Sequence, residues 1–391
     1  MSGKPLAGIK VVEFTHMVMG PAAGQILGDL GADVIKIEPI GGDPTRRLLG
    51  SGAGYFPMYN RGKQSICLDL KASDGCRIAG ELASRADIVI ENYRPGAMDR
   101  LGLGWTALGE RNPRLIYVSE KGFLAGPYED RTALDEVAQM MGGLAYMTGP
   151  PGRPLRAGAS VIDVAGGMFS VIGALAALAE RQRTGKGQKV AAALFETTVY
   201  LVGQHMAQKA VTGKAAAPMP ARISAWAIYD VFETADADHM FVGVVTDALW
   251  KTFCTLFDLP ELWAREDWRA NNARVLARDE IMPTVRGRLK AFTKAALLDR
   301  LDGSGLPFAP IGRPEDLFDD PHLLASGGLA TVILPDGEAT LLPLIPVEMD
   351  GARPATDGSL ASIGQHSNAL LEGLGYGPED IGRLRENAVV Q

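Results

Sequence analysis

The alternation of short β-branched runs with helix-forming segments, over roughly the first third of the chain, constrains the fold most. The predicted strands are IKVVEF (9–14), DVIKIE (33–38), KQSICLDL (63–70), ADIVIENY (86–93) and PRLIYVSEKG (113–122). Segments such as GPAAGQILGDLG and DGCRIAGELASR lie between them and have helical patterns. Because adjacent parallel strands need a crossover of about a dozen residues, this alternation predicts a parallel α/β sheet with helices on its faces.

A change of composition after the long helical region predicts a second domain. The segment TGKAAAPMPA (212–221) is rich in small residues and Pro, which is typical of a linker. Residues 222–325 combine a predicted hairpin around Asp236–His239 with three predicted helices, which indicates a small α+β domain. Residues 1–211 would form the first part of a larger domain, and 326–391 return to strand-forming sequence.

Charge and composition exclude several classes of protein. The net charge of -7 disfavours nucleic acid as a partner, because nucleic-acid binding requires a basic face. The three cysteines, Cys67, Cys76 and Cys254, have no metal-binding spacing and favour a reducing compartment. The N-terminus lacks the pattern of an export signal, and the uncharged run 164–179 is short and glycine-rich for a membrane span. We therefore expect a cytoplasmic protein with no metal and no membrane partner.

Polar loops follow the predicted strands at the edge of the sheet where parallel sheets bind ligands. These loops are FTHMVMGP, IEPIGGDPTRR, ENYRPGAMDR and SEKGF. Their glycine turns would offer backbone N–H groups to phosphate, and several basic side chains could meet phosphate oxygens. These side chains are Arg46, Arg47, Lys71, Arg94 and Arg100. Each alone is readily explained as a solvated loop charge, but the set favours a nucleotide-like ligand.

A dinucleotide cofactor fits the glycine spacing poorly. Gly20, Gly24, Gly28 and Gly31 do not match G-x-G-x-x-G, although Glu38 lies where a ribose-binding acid would lie. The five histidines lie outside the common nucleophile and zinc motifs. The sequence therefore does not predict NAD or a metal cofactor.

Asp163 stands at the start of an apolar helix and allows two interpretations. Asp is a good N-cap residue, so a purely structural role is one of them. The other is a covalent nucleophile toward an activated acyl group. Gly166 and Gly167 would leave room for a ligand beside the helix, and Asp135 supplies a second carboxylate ahead of Gly142–Gly143.

Six stretches carry a more specific pattern, and together they extend over much of the chain. They are LAGIKVVEFTHMVMGPAAGQILGDLGADVIKIEPIGGDPTR, NRGKQSICLDLK, DIVIENYRPGAMDRLGLG, NPRLIYVSEKGF, GPYEDRTALDEVAQMMGG and DVAGGMFSVIGALAALAERQRTGKGQKV. They resemble the class III (CaiB/BaiF-type) coenzyme A transferases, the family of formyl-CoA, carnitine and succinate–glutarate CoA transferases. The resemblance implies a large Rossmann-like domain built from both chain ends, a smaller α+β domain, and a homodimer of interlocked subunits.

The same resemblance assigns a reaction and its residues. It implies that Asp163 attacks an acyl-CoA donor, that an acyl-aspartyl anhydride and then an aspartyl-CoA thioester form, and that a carboxylic acid accepts the CoA. Asp135 would help to orient the site. The implied CoA contacts are His16, Met17, Val18, Met19, Leu68, Lys71, Asn92, Tyr93, Arg94, Arg100 and Thr132.

The acceptor acid and one alternative activity stay open at this point. Val18 and Pro39 replace a Gln and an Arg of formyl-CoA transferases, which argues against oxalate or formate. The α-methylacyl-CoA racemases of the same family pair a His with an Asp, but Leu134 stands at that His position, which favours the transferase.

Three positions are candidate contacts for the acceptor. Arg222, just past the linker, could bind the second carboxylate of a dicarboxylic acid, with Arg313 as an alternative, although a surface role explains either arginine. Gly142 and Gly143 could border the acyl group. A small di- or hydroxy-carboxylate is therefore the expected acceptor.

Overall fold

The computed structural model describes residues 4–222, 224–334 and 336–391. The chain forms two compact units, one of Met1–Pro220 with Pro321–Gln391 and one of Ala221–Asp320. The small domain expected at 222–325 therefore differs from the second unit by one residue at its start and five at its end. Within the expected linker, 212–221, the last helix of the first segment ends at Thr212 and Met219–Ala221 forms a 3-10 turn.

Helices and strands alternate along the first part of the chain, and helices predominate after β8. The elements are β1 (Lys10–Phe14), α1 (Met19–Asp29), β2 (Asp33–Glu38), α2 (Tyr55–Tyr59), β3 (Gln64–Cys67), α3 (Ser73–Ser84), β4 (Ile88–Glu91), α4 (Ala97–Arg100), α5 (Trp105–Arg111), β5 (Ile116–Lys121), α6 (Asp135–Met141), α7 (Leu144–Thr148), α8 (Val161–Thr184), β6 (Gln188–Ala193), α9 (Leu194–Thr212), β7 (Tyr229–Glu233), β8 (His239–Gly243), α10 (Asp247–Leu256), α11 (Pro260–Trp263), α12 (Asn271–Leu276), α13 (Arg278–Leu289), α14 (Lys294–Leu301), β9 (Phe308–Pro310), α15 (Pro321–Ala325), β10 (Leu329–Ile333), β11 (Ala339–Pro343), α16 (Ser367–Leu374) and α17 (Pro378–Glu386).

The larger unit is built on a six-stranded sheet in the order β3-β2-β1-β4-β5-β6. All five strand pairs are parallel, which confirms the predicted α/β class. The strand order reverses between β1 and β4, so the connections lead away from this point on both sides. Open parallel sheets bind ligands at the carboxyl edge of such a switch point.

Side chains that alternate along the strands pack into two hydrophobic cores, one on each face of the sheet. Val11, Ile88 and Ile116 point to the face covered by α1 and α8. Val12, Val89 and Tyr117 point to the other face, where α3 and α5 pack. Buried residues of α16 and α17 join this second core, so the two ends of the chain build one unit.

Gly166 and Gly167 of α8 have a different role from the one predicted from the sequence. A methyl group on Gly167 would lie 2.7 Å from the Met19 carbonyl oxygen, and one on Gly166 would lie 2.8 Å from Met19 Cε. The glycines therefore let α1 approach α8, and they do not leave room for a ligand as expected. Among the described residues, one helix, α8, is long enough and apolar enough to cross a membrane, judged by length and composition alone. In the structure, 44% of its most apolar window is buried.

The predicted helix ALDEVAQMMGGLAYM is two helices, α6 and α7. Gly143 has φ of +88°, a left-handed conformation that interrupts the helical hydrogen bonding. Gly142 packs against α9, since a methyl group there would lie 2.4 Å from Thr198 Cγ2.

The smaller unit combines a three-stranded antiparallel sheet, β7-β8-β9, with helices α10 to α14. The predicted hairpin is confirmed, with β7 and β8 paired from Tyr229↔Gly243 to Glu233↔His239. Five helices lie where three were predicted. Pro260 begins a separate short helix, α11, and the second predicted helix is divided into α12 and α13, which starts at Arg278. Trp250, Phe253 and Phe257 lie in the core of this unit.

Candidate active site

Two loops join at the switch point of the sheet. The loop after β1 and the loop after β4 exchange two hydrogen bonds: His16 N donates to Asn92 Oδ1 at 3.1 Å, and Asn92 Nδ2 donates to the His16 carbonyl at 2.9 Å. Met17 has φ of +63°, a strained conformation for a residue other than Gly, and its N–H donates to Thr45 Oγ1 at 3.2 Å. The strained turn leads directly into the first turn of α1.

A cleft of about 670 Å³ opens at this edge of the larger unit. Its walls come from the loops after β1, β4 and β5 and from the starts of α6 and α8. The lining residues are His16, Met17, Met19, Tyr55, Asn92, Tyr93, Arg94, Pro95, Arg100, Glu120, Lys121, Gly122, Glu129, Asp130, Arg131, Thr132, Ala133, Leu134, Asp135, Glu136, Ser160, Asp163 and Leu194. Both candidate catalytic acids therefore face one cavity.

Asp163 lies in the first turn of α8 and is not its N-cap. The N-cap position is Ser160, whose side chain makes no capping hydrogen bond. Burial, followed by the nearby charges of Asp135 and Glu136, raises the pKa of Asp163 to about 7. Asp163 is half-buried in the cleft wall, where its charged form is less well solvated than in water.

Asp135 provides the cap that the sequence had suggested for Asp163. Its Oδ2 accepts hydrogen bonds from Ile162 N at 2.9 Å and Asp163 N at 3.1 Å, although it lies 27 and 28 residues away in the chain. Its Oδ1 accepts from the Nε2 of Gln139, and Gln139 Oε1 accepts from Ala157 N at 2.8 Å. Asp135 thereby fixes the position of the helix turn that carries Asp163.

Sequence patterns missed Arg156, which lies close to both acids. Its guanidinium bonds to Glu136 and lies 3.9 Å from Asp135 Oδ1. It also lowers the pKa of Asp163, which opposes the larger upward effects of burial and of the two acids. Arg156 is partly exposed and lies in a polar loop, so neither spacing nor a motif distinguished it from a surface charge.

Most of the expected CoA contacts line the cleft. His16, Met17, Met19, Asn92, Tyr93, Arg94, Arg100 and Thr132 are all in its walls. Among the others, Val18 is buried beneath the turn, Leu68 is buried in the core, and Lys71 is exposed outside these walls. Lys121 and Arg131 also line the cleft, and no sequence pattern distinguishes them from other charged loop residues.

The two glycines expected to border the acyl group lie outside the cleft walls. Gly142 and Gly143 are at the break between α6 and α7 and do not belong to the cleft walls. Arg222 belongs to the smaller unit. Leu134 lines the cleft beside Asp135, so an apolar side chain occupies the position where the resemblance to the racemases would imply an imidazole.

Glu38, which lies where a ribose-binding acid would lie, is hydrogen-bonded to other groups of the protein. Glu38 is buried and forms a bidentate pair with Arg46, at 2.7 Å from Nε and 2.6 Å from Nη2. It also accepts from Ser65 Oγ at 2.6 Å and from Asp43 N at 2.8 Å. These bonds lower its pKa against the effect of burial and leave little acceptor capacity for a ribose.

Metal ligation has no candidate within the part of the chain that the structure describes. No group of three His, Cys, Asp or Glu side chains there could hold a metal ion.

The doubly wound sheet with a cleft at its switch point defines a Rossmann-like α/β fold. A family model described as CoA-transferase family III matches residues 6–367, and the chain belongs to that family. The human succinyl-CoA:glutarate CoA-transferase is 33% identical over 99% of this chain and 90% of its own length. The succinyl-CoA–L-malate CoA-transferase beta subunit of Chloroflexus aurantiacus is 31% identical over 99% and 98%. The crystal structure of a CaiB/BaiF family protein from Brucella suis has a TM-score of 0.83, with 34% identity over 95% and 100%.

Proposed function

We propose that the protein transfers CoA from an acyl-CoA to a free carboxylic acid through covalent intermediates on Asp163. The observation that carries this proposal is a carboxylate of raised pKa in the wall of a switch-point cleft, fixed by a second acid. Family membership supports the CoA-transferase class. Perturbed acids in clefts are candidates for nucleophiles because burial weakens their solvation and strengthens their basicity.

The reaction balances without any net proton transfer. An oxygen of Asp163 attacks the thioester carbon, the C–S bond breaks, and CoA thiolate leaves with the electron pair to give an anhydride. The thiolate then attacks the aspartyl carbon of the anhydride, so that the donor acid leaves and an aspartyl-CoA thioester forms. The acceptor carboxylate attacks the carbonyl carbon of this thioester, the C–S bond breaks, and a second anhydride forms between Asp163 and the acceptor. The released thiolate then attacks the acceptor acyl carbon of this anhydride, so that the acceptor's CoA ester forms and the Asp163 carboxylate leaves unchanged.

Three features of the site support these steps. The amides in the first turn of a helix have no partner within the helix, so those of α1, beside Met17 and Met19, can stabilise the oxyanion of each tetrahedral intermediate. The half-buried position of Asp163 limits access of water, which would hydrolyse the anhydride. Arg94, Arg100 and Arg131 line the outer cleft and supply positive charge for the phosphates of CoA.

We infer that the acceptor is a small dicarboxylic or hydroxycarboxylic acid. The relatives named above are described as acting on glutarate and L-malate, and both are dicarboxylic acids. Arg156, beside Asp135, could bind the distal carboxylate, and Arg222 remains the candidate suggested by the sequence. Initial rates with succinyl-CoA and a panel of mono-, di- and hydroxy-acids test this inference. A preference for monocarboxylic acids would contradict the inferred acceptor class. An unchanged acceptor preference in Arg156→Ala and in Arg222→Ala would show that neither arginine binds the distal carboxylate.

Steady-state kinetics with both substrates varied test the transfer mechanism itself. With succinyl-CoA and an acceptor, the protein should form the acceptor's CoA ester with ping-pong kinetics, and Asp163→Asn should be slower by at least about 1,000-fold. Asp130→Asn, an exposed acid of the same cleft, serves as the matched control and should remain active. Sequential kinetics together with an active Asp163→Asn would contradict the covalent route.

We also propose that the protein acts in the cytoplasm as an interlocked homodimer. Cys67, Cys76 and Cys254 are free thiols, which is compatible with a reducing compartment. The exposed sides of α8 and α9 carry Met168, Ile172 and Tyr200, which are 49%, 58% and 72% exposed. A second copy of the chain is the occupant that would bury these side chains.

A further inference from the structure

A third acid, Glu120, lines the cleft and is almost completely buried. It is the fifth residue of β5 and lies at the carboxyl edge of the sheet, on the face covered by α1 and α8. Its side chain is 2% exposed, and within the described residues neither of its carboxyl oxygens makes a hydrogen bond. Buried polar groups are satisfied in the great majority of cases, so this carboxyl group requires an explanation.

The elements packed around Glu120 bring acids and small residues toward it. Gly20 of α1 lies directly against it, since a methyl group there would be 2.9 Å from Glu120 Oε2. Glu13 of β1 and Asp163 of α8 act on it electrostatically, as does Glu91 of β4 from the other face. Ser170 of α8 is close enough to favour the charged form, but its hydroxyl donates to the Gly166 carbonyl oxygen at 3.0 Å and therefore does not satisfy the Glu120 carboxyl group.

The lysines beside Glu13 and the lysine next to Glu120 in β5 are engaged with other acids. Lys63 lies 2.9 Å from both carboxylate oxygens of Glu13, and Lys36 lies 3.1 Å from Asp43. Lys121, next to Glu120 in the strand, points to the opposite face and bonds to Glu129 at 2.8 Å. A carboxyl group that is buried among carboxylates and unpaired is more stable in its neutral form, and burial with these charges raises the pKa of Glu120 to about 8.

We propose that Glu120 is a positioning residue of the active site that works only as an uncharged acid, and that loss of its proton inactivates acyl transfer. This proposal rests on the proposed function of Asp163. The attack by Asp163 and the departure of the thiolate both place negative charge near the first turn of α1, against which Glu120 packs. A carboxylate at this point would repel that charge and oppose ionisation of Asp163 in a poorly solvated site.

The test compares the pH dependence of kcat/KM for CoA transfer in the unchanged protein and in Glu120→Gln. Between pH 7.5 and pH 9 the unchanged protein should lose activity about five- to tenfold, and Glu120→Gln should lose less than about twofold. The measured quantity is the ratio of the two rates within each protein, so a general loss of activity in the variant does not affect it. Glu110→Gln, at an exposed site on α5, should retain the profile of the unchanged protein. Parallel profiles for Glu120→Gln and the unchanged protein overturn the proposal.

A substrate-free measurement separates this proposal from the proposed function. A raised pKa means that the folded protein loses stability as the pH rises from about 4.5 to about 8, because the unfolded chain releases the proton first. The melting temperature of Glu120→Gln relative to the unchanged protein should therefore increase across this range, and a constant difference overturns the proposal. Glu120→Leu, which is also uncharged at every pH, replaces Glu120→Gln in both measurements if the Gln variant does not fold. A missing covalent adduct on Asp163 would contradict the proposed function, whereas parallel pH profiles with an intact adduct contradict only the role of Glu120.

Discussion

The ionisation of Asp163 is set by the side chains that surround it. Burial and the charges of Asp135 and Glu136 raise its pKa, and the charge of Arg156 lowers it. The site thus keeps a carboxylate in surroundings that disfavour its charge, which makes it more reactive and makes the fold less stable at high pH.

Replacement of Asp163 by Asn should stabilise the protein more as the pH rises. This is the opposite of the effect expected for an acid in a salt bridge. The folded protein holds the Asp163 proton up to about pH 7, whereas the unfolded chain loses it near pH 4. The unchanged protein therefore loses stability across this window, by up to about 4 kcal/mol, and the Asn variant does not. Thermal unfolding of both proteins between pH 4 and pH 8 should show a stability difference in favour of the variant that grows with pH and then levels off. A difference independent of pH would mean that Asp163 has an ordinary pKa.

Removal of the Asp135 charge should move the activity profile to lower pH. The charge of Asp135 is the second-largest cause of the raised pKa of Asp163, and Asn at this position keeps an oxygen that can accept from Ile162 N. In Asp135→Asn, the rising limb of kcat/KM should shift down by about half to one pH unit. Asp130→Asn, an exposed acid of the same cleft, is the control and should leave the midpoint in place. An unshifted midpoint in Asp135→Asn would show that the two acids do not interact.

At the scale of elements, the position of the cleft depends on close contact between α1 and α8. Gly166 and Gly167 let the backbone of α1 approach α8, and Gly24 of α1 lies over the buried acid Glu13. The contact holds the first turn of α1 beside the first turn of α8, so a change in helix separation would displace both the proposed oxyanion site and Asp163.

Gly167→Ala should therefore destabilise the protein although Ala favours helix. The added methyl group would lie 2.7 Å from the Met19 carbonyl oxygen and 3.2 Å from Ala23 N, and both are backbone atoms. We expect a loss of about 1–3 kcal/mol in the free energy of unfolding, measured by chemical denaturation. Gly203→Ala, in α9 with no atom within 4 Å of the added methyl group, is the matched control and should be neutral or stabilising by up to about 1 kcal/mol. Equal effects at the two positions would contradict the role of the helix contact.

Local sequence patterns predicted the elements well where periodicity is strong. The runs that contain Val11, Val34 and Ile88 became strands of the parallel sheet, since β-branched residues at alternate positions match its two buried faces. The role of Gly166 and Gly167 could not be predicted locally, because it depends on which helix lies opposite. The break at Gly143 required the same information, since a glycine within a helical pattern is compatible with either continuation or termination.

At the scale of the whole molecule, the candidate site was predicted only where the chain resembles its family. Asp163, Asp135 and most of the expected CoA contacts meet in one cleft, and the resemblance placed them there. Arg156 and Glu120 were not singled out, because their importance arises from neighbours that are distant in sequence. An arginine in a loop and an acid near the end of a strand carry no signal until the fold brings other charges to them.

The proposed homodimer should depend on the exposed apolar side of α8. Ile172→Asp together with Met168→Lys would introduce charge into the contact surface, because both side chains are about half exposed in the single chain. We expect the double variant to sediment as a monomer at micromolar concentration, whereas the unchanged protein sediments as a dimer. Leu276→Asp, at a side chain 90% exposed in the smaller unit, is the control and should leave the dimer intact. A monomeric unchanged protein would contradict the proposal.

Mass spectrometry of the acyl-enzyme tests the central claim most directly. The protein is mixed with succinyl-CoA in the absence of an acceptor, quenched with hydroxylamine, digested and mapped. The covalent route predicts a hydroxamate on the Asp163 carboxyl group, in near-stoichiometric yield, and none on Asp135 or Asp130. An unmodified Asp163 in a preparation that still transfers CoA to an acceptor acid would contradict that route.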